Sequence, residues 1–319
     1  MPKMFLLLAT QKGYTALKYL AENNLSKYVK FVVTFREIGT SQDWSTLIIE
    51  ECNKIGIPCY IWSDVKNSVS ELAIQYEVDS AVAISWRYFL PLSLNKILKT
   101  PLIIFHDSLL PRYRGFAPTP TAIMAGEKFI GVTAFFASDE VDAGDIILQN
   151  KMNVSRDMYI KDIIAEQSKI YAEMLAEIIL SIKDGTLNSV PQNEHEATYS
   201  IWRNEDDCKI NWTKTSEEIY NFVRALGDPY PNAFTYCNNR KIDILKVEVV
   251  QEKLFVVRDC GKIWSIKNNQ PEIICGAGMI KILSAVDSSG KIFKFEKLRC
   301  RLGEINPSII FVLNGNADL

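Results

Sequence analysis

Histidine is nearly absent from this chain, which has two in 319 residues, His106 and His195. The seven cysteines (Cys52, Cys59, Cys208, Cys237, Cys260, Cys275 and Cys300) are scattered, and none falls in a CxxC pair. That spacing indicates neither a zinc site nor a disulfide framework, and isolated thiols fit a reducing cytoplasm. No GxGxxG fingerprint and no nucleophilic Ser or Cys elbow is present. Charge of one sign is not in excess: 36 basic residues face 38 acidic ones, for a net charge of −2. That balance gives no global attraction to nucleic acid. No apolar run approaches the length of a membrane span. The opening MPKMFLLLAT is short and runs into Gln-Lys-Gly rather than a small-residue cleavage site, so it predicts a first strand, not a signal peptide. There is no internal repeat and no low-complexity tract.

What remains is an ordinary soluble composition, 48% hydrophobic and 23% charged, with length enough for two domains. The first half alternates strand-like and helix-like segments. MFLLLAT, FVVTF, CYIW, SAVAISW and PLIIFH read as strands. TALKYLAENN, SQDWSTLIIEECNKIGIP (Ser41 as N-cap), NSVSELAIQYEV and LSLNKILKT read as helices. This alternation predicts a Rossmann-like, doubly wound, mostly parallel α/β sheet. GVTAFFAS and DIILQNKM add two strands, and YIKDIIAEQSKIYAEMLAEIILSIKDG a long amphipathic helix. TLNSVPQNEHEATYS is polar and broken, and reads as a linker. Beyond it, SEEIYNFVRALG is a helix. IDILKVEVV, KLFVVRD, IWSIK, EIICGAGMIKILSAVD and IFKFEKLR form a run of short strands suited to a small barrel. The expected domains are residues 1–199 and a β-rich 200–319.

The chemistry concentrates between His106 and Asp145. His106 ends the apolar PLIIFH, and Asp142 lies in DEVDAGD just past GVTAFFAS. A histidine and a carboxylate at two strand ends are placed to meet at one sheet edge, where open α/β sheets hold their sites. Such a pair suits acid–base or oxyanion work. The bland readings stand beside it: a hydrogen-bonded structural histidine and a solvated acidic turn, with Asp107 and Asp145 competing for any acid role.

HDSLLPRYRGFAP, then GVT, then DAGDI resembles the signature of the folate-dependent formyltransferases. ATYSIW, KINW and IYNFVRALGDPYPNAFTY resemble the start of the C-terminal domain of the methionyl-tRNA and aminoarabinose members. The resemblance implies formyl transfer from N10-formyltetrahydrofolate to a primary amine. His106 would face the developing oxyanion and Asp142 would take the amine proton. Trp86, Arg87, Tyr88 and Ser138 are the folate-side candidates. On the acceptor side, Lys12, Arg112 and Arg114 suit a diphosphate, with Asp107 and Ser108 beside them.

One element departs from the pattern. The family usually carries Asn-x-His at this strand end, and Ile104 stands where the Asn should donate to the oxyanion. Ser108, Thr119, Thr121 or a backbone N–H are the possible replacements. Three acceptor readings follow: a nucleotide-linked amino sugar of a surface polysaccharide such as lipopolysaccharide, methionyl-tRNA, or no turnover in a folate- or sugar-binding relative. The charge balance and the stretch Ala9-Thr10-Gln11-Lys12-Gly13, which replaces the Gly-Thr-Pro-Glu-Phe-like turn of the tRNA enzymes, favour the sugar. No nucleic-acid or membrane partner is expected. The β-rich module is a candidate for homodimer contacts.

Overall fold

A computed structural model describes residues 1–37, 42–90 and 93–303. The chain divides into two compact units, one comprising residues 1–119 and 128–202, the other residues 120–127 and the chain from Arg203 onward.

In the first unit β1 (Met4–Leu8), α1 (Thr10–Glu22), β2 (Val29–Thr34), α2 (Trp44–Ile55), β3 (Cys59–Ile61), α3 (Trp62–Val65), α4 (Val69–Gln75), β4 (Ser80–Ile84), α5 (Leu94–Ile97) and β5 (Ile103–His106) follow the expected alternation. The short β6 (Arg114–Gly115) precedes β7 (Phe129–Phe136), β8 (Ile146–Asn153), α7 (Ile160–Asp184) and β9 (Tyr199–Ser200); α6 (Pro118–Met124), between β6 and β7, belongs from Pro120 on to the second unit. Seven strands form one sheet in the order β3-β2-β1-β4-β5-β7-β8. The first five are mutually parallel, and β7 and β8 join antiparallel.

Side-chain alternation splits each central strand between two cores. Met4, Leu6, Leu8, Val82, Ile84, Ile103 and Phe105 pack on one face against buried residues of α1, α2 and α7. Phe5, Leu7, Phe31, Val33, Ala81 and Ala83 face the opposite way, toward α3, α4 and α5. Covered on both faces, these strands are apolar throughout, which is why they read as unbroken runs. The strand order reverses between β1 and β4, so the ligand crevice of such a sheet lies beyond their C-terminal ends. There Thr10 Oγ1 donates to Ser85 Oγ at 3.0 Å.

Ser41, expected to cap α2, lies outside the described residues. Asp43 is the N-cap, and its carboxylate accepts from the Ser45 N–H at 3.0 Å. The stretch expected as a linker is instead part of the first unit. Val190 and Ile146 exchange backbone hydrogen bonds of 2.8 Å, and Tyr199–Ser200 pairs with Arg114–Gly115. A polar segment still carries backbone donors and acceptors, and these complete ladders that the apolar pattern does not reveal.

The second unit holds α8 (Ser216–Arg224) and an antiparallel sheet of five strands: β10 (Ala233–Cys237), β11 (Arg240–Val250), β12 (Ile263–Lys267), β13 (Gln270–Ile274) and β14 (Met279–Asp287). Its order is β10-β11-β14-β13-β12. Residues 300–303 cover both edges: Ile263 N–H donates to the Cys300 carbonyl at 3.0 Å and Gly303 N–H to the Tyr236 carbonyl at 2.9 Å. This gives the barrel-like closure that relieves edge strands. Two expected strands are absent. KLFVVRD has no ladder partner and leaves Leu254, Val256 and Val257 exposed, while IFKFEKLR makes one isolated bridge, Ile292 to Val286. Apolar alternation alone does not make a strand without a neighbouring edge to pair with.

Candidate active site

His106 ends β5 at the C-terminal edge of the parallel strands. Its ring is largely buried, and its Nε2–H donates to the Tyr113 carbonyl at 2.8 Å. A carbonyl only accepts, so the proton sits on Nε2 and Nδ1 is left to face the site. Nδ1 lies 3.5 Å from Asp142 Oδ2. The same Oδ2 accepts from the Gly115 N–H at 2.8 Å. The two residues placed at strand ends by the sequence do therefore meet, 36 positions apart in the chain.

The loop between them is held from several sides. Leu110–Pro111 is cis. Thr133 Oγ1 donates to the Ser108 carbonyl at 2.6 Å and accepts from the Leu110 N–H at 3.1 Å. Gln149 Nε2 donates to both Thr133 Oγ1 and the Leu110 carbonyl at 2.8 Å. Thr198 Oγ1 accepts from the Tyr113 N–H at 2.9 Å, and Ser200 Oγ donates to the Tyr113 carbonyl at 3.3 Å. The carbonyl that orients His106 is thus itself oriented. Non-glycine residues with left-handed φ gather here: Thr10 (60°), Ser85 (54°), Tyr113 (60°), Ala117 (47°) and Asp142 (53°). Backbone of this kind costs about 1–3 kcal/mol per residue and concentrates at functional sites. The DAGD turn also needs its glycine, because a Cβ on Gly144 would lie 1.7 Å from the Phe136 carbonyl oxygen.

The acceptor-side candidates separate into two groups. Lys12 is buried, and its Nζ lies 2.5 Å from Asp107 Oδ2. Tyr171 donates its hydroxyl to Asp107 Oδ1, also at 2.5 Å. Desolvation pushes the Asp107 carboxyl up, but the Lys12 charge, the two hydrogen bonds and nearby His106 outweigh it and hold it below the usual range. Ser108 Oγ donates to the Arg112 carbonyl at 2.6 Å. Arg114, expected at a diphosphate, is 1% exposed and binds both Glu194 oxygens at 2.6 and 2.8 Å and Gln192 Oε1 at 2.8 and 3.2 Å. Lys12, Asp107, Ser108 and Arg114 thus each have a partner within the protein. Of the basic candidates Arg112 alone is exposed, with its guanidinium 5.4 Å from the Tyr113 ring.

On the folate side, Trp86 meets Phe35, Trp62 and Tyr88 with ring centroids 5.2, 5.3 and 5.9 Å away. Arg87 lies 4.3 Å over the Phe35 ring. Trp86 Nε1 and Thr34 Oγ1 are buried without a hydrogen-bond partner among the described residues. Ser138 is exposed and donates to the Glu140 carbonyl at 2.8 Å. Ile104 shares the His106 face of β5, two residues before it, and, like Trp86 and Ala137, packs against the buried cluster on that face. Thr119 Oγ1 is engaged with the Asp107 carbonyl and the Gln167 amide. The two side-chain replacements for the Asn in this unit, Ser108 and Thr119, thus already have partners; Thr121 belongs to the other unit.

Tyr171, Thr133, Gln149, Gln192, Thr198 and Ser200 all shape this site, and the sequence reading missed them. Their signal is three-dimensional: each is an unremarkable polar residue in a helix, a strand or the supposed linker.

Fold and site together define a doubly wound α/β protein with a histidine–carboxylate pair at the C-terminal edge of its sheet. Formyl transferase matches at residues 48–179, and formyl transferase, C-terminal domain, at residues 203–301. The methionyl-tRNA formyltransferase of Acetivibrio thermocellus is 30% identical over 228 residues, 71% of this chain and 73% of that protein. That of Fusobacterium nucleatum is 32% identical over 197 residues, 62% of this chain and 63% of that protein. The chain belongs to the formyl transferase family. Its match to the Fusobacterium protein stops short of two thirds of that protein's length. A solved N-formyltransferase from Helicobacter canadensis, in complex with folinic acid and dTDP-3-aminofucose, superposes with a TM-score of 0.67 at 20% identity, covering 88% of this chain and 99% of that one. At that identity the likeness is one of fold. No helix among the described residues is long and apolar enough to cross a membrane.

Proposed function

We propose that the protein transfers a formyl group from N10-formyltetrahydrofolate to the amine of a nucleotide-linked amino sugar. The observation that carries the chemistry is the ordered pair of His106 Nδ1 and Asp142 Oδ2, 3.5 Å apart, with Nε2 tied back to Tyr113. The amine nitrogen attacks the formyl carbon, and the C=O π electrons move onto oxygen. Asp142 accepts the proton that the nitrogen loses, while His106, in the doubly protonated form that makes Nδ1 a donor as well as Nε2, lies beside the oxyanion and stabilises it. Collapse re-forms the C=O, breaks the bond to N10 and returns a proton to that nitrogen, leaving a formamide and tetrahydrofolate. Long contacts of this kind in a substrate-free site shorten when substrate binds.

The residues present suit the donor. Trp86 and the exposed Tyr88, backed by the buried Trp62, form an aromatic wall suited to a flat heteroaromatic ring. Trp86 Nε1 is a buried donor without an acceptor among the described residues, and Arg87 is a cation at the rim. The acceptor reading rests on charge. A tRNA-binding protein neutralises phosphates with excess Lys and Arg, and this chain has no excess. A cytoplasmic location belongs to this reading, since scattered unpaired cysteines suit a reducing compartment. Methionyl-tRNA is the second reading, favoured by the names of the sequence relatives.

Turnover assays with N10-formyltetrahydrofolate and a panel of dTDP- and UDP-amino sugars, run beside methionyl initiator tRNA, test the proposal. Sugar formylation that disappears in folded His106→Ala and Asp142→Ala variants is the expected result. Formylation of the tRNA alone replaces the acceptor assignment, and no turnover with any amine refutes the activity.

A further inference from the structure

The Asp142 turn is held by a residue far away in the sequence. Gln192 Nε2 donates to the Asp142 carbonyl at 2.8 Å and to the Gly144 carbonyl at 2.7 Å. Its Oε1 accepts from Arg114 Nη2 at 2.8 Å and Nε at 3.2 Å. Arg114 only donates and the two carbonyls only accept, so the orientation of the amide is unambiguous. Arg114 is in turn fixed by both carboxylate oxygens of Glu194. The chain Glu194–Arg114–Gln192 thus ends on the backbone of a residue whose φ of 53° is unfavourable for a side-chain-bearing residue. The Asp142 side chain meanwhile meets Gly115, next to Arg114, through the Gly115 N–H. Backbone and side chain of Asp142 are therefore both referenced to residues 114–115, the loop that also carries the Tyr113 carbonyl orienting His106.

We propose that Gln192 is a positioning residue that sets the place of the Asp142 carboxylate relative to His106, with Arg114 as its anchor. This rests on the reading of Asp142 as the proton acceptor. The amide cross-links the loops after β5 and β7 with four hydrogen bonds, two to each side. Without them the turn has the Gly115 contact to the side chain but not the paired grip on its carbonyls. A misplacement of about 1 Å at a reacting group costs on the order of 10²-fold in rate. Arg114, at first sight a phosphate ligand, is removed from substrate by this role.

The test uses Gln192→Leu, which removes all four hydrogen bonds, and Gln192→Glu, which keeps the shape and an acceptor for Arg114 but loses both donors. Both are expected to lower kcat by about 10²-fold while the KM of the amine changes by less than about three-fold. In an Asp142→Asn background the added Gln192→Leu should change the residual kcat by less than about two-fold, since it acts through Asp142. A loss there as large as in the wild type would mark general damage and overturn the proposal. Hydrogen exchange supplies a readout that needs no turnover. The Gly115 amide, which donates to Asp142 Oδ2, and the Ala143 amide within the turn should exchange at least about ten-fold faster in Gln192→Leu, with β7 unchanged. Wild-type kcat, or wild-type exchange in the turn, refutes the role of Gln192. Wild-type protein inactive on every amine refutes the functional reading instead, and exchange then decides this inference on its own.

Discussion

Replacing Ile104 by Asn returns the donor that the formyltransferase resemblance leads one to expect. Ile104 pairs with Ala83 on one side and Phe135 on the other, and it faces the same way as His106. The neighbouring hydroxyls of Ser108 and Thr119 are turned toward Arg112, Asp107 and Gln167, so the proposed mechanism leaves the oxyanion to His106. A preorganised oxyanion donor contributes about 2.7–4 kcal/mol, or roughly 10²–10³ in rate. The strand supplies the backbone position, but the packing around residue 104 was not built to hold an amide. A gain below that range is therefore the expectation: Ile104→Asn raises kcat by about 10- to 100-fold. The bond strengthens in the transition state, so KM moves little. Exchanging a half-buried isoleucine for an amide costs about 1–3 kcal/mol of stability, visible as a lower unfolding midpoint. Single-turnover formyl transfer under saturating donor and amine measures the effect, with Ile104→Leu as the apolar control. Folded Ile104→Asn with kcat equal to or below that of Ile104→Leu would show that another group, a backbone N–H included, already binds the oxyanion, and the reasoning would fail.

Other outcomes follow from the same geometry. Lys12→Met leaves Asp107 buried beside Tyr171 without its cation and should destabilise the protein by about 3–5 kcal/mol in urea unfolding at pH 7; a change below about 1 kcal/mol would contradict a buried ion pair. The pH dependence separates the two proteins. In the wild type the depressed Asp107 contributes stability that is full above the ordinary aspartate value of about 4 and lost as the pH falls through its lower folded value. With Lys12 gone, desolvation dominates and raises that value, so the deficit of Lys12→Met should be smaller at pH 4 than at pH 7. Gly144→Ala must displace the turn, because its Cβ meets backbone, and should lower kcat by on the order of 10²-fold; Gly185→Ala, which meets nothing within 4 Å at the end of α7, should leave kcat unchanged at a stability cost of about 1 kcal/mol. Thr215 caps α8 by accepting from the Glu218 N–H at 3.1 Å, so Thr215→Ala should cost about 1 kcal/mol in thermal unfolding and leave turnover unaffected.

Much of this protein was legible in one dimension because its strands are buried on both faces. MFLLLAT, SAVAISW and PLIIFH carry unbroken apolar signals, and the turns between them stop the helices where glycine takes over, as at Gly56 and Gly185. His106 was legible as the C-terminal end of a parallel strand, but Asp142 follows β7, which runs antiparallel to β5, so the loop after β7 and not strand direction brings the two together. The sequence by itself thus determined the doubly wound sheet, the edge at which the site lies and the Ile104 departure on the His106 face. Tertiary structure decided which polar residues face the site and which hold it up. Charge and exposure cannot be read from residue type: Arg114 and Lys12 look like phosphate ligands in a list, yet each is buried against a carboxylate, because a charge taken out of water needs a partner there. Gln192 went unnoticed in a polar stretch for the complementary reason. Its role consists of four hydrogen bonds to residues some 50 and 80 positions earlier, and only folding brings their donors and acceptors within reach.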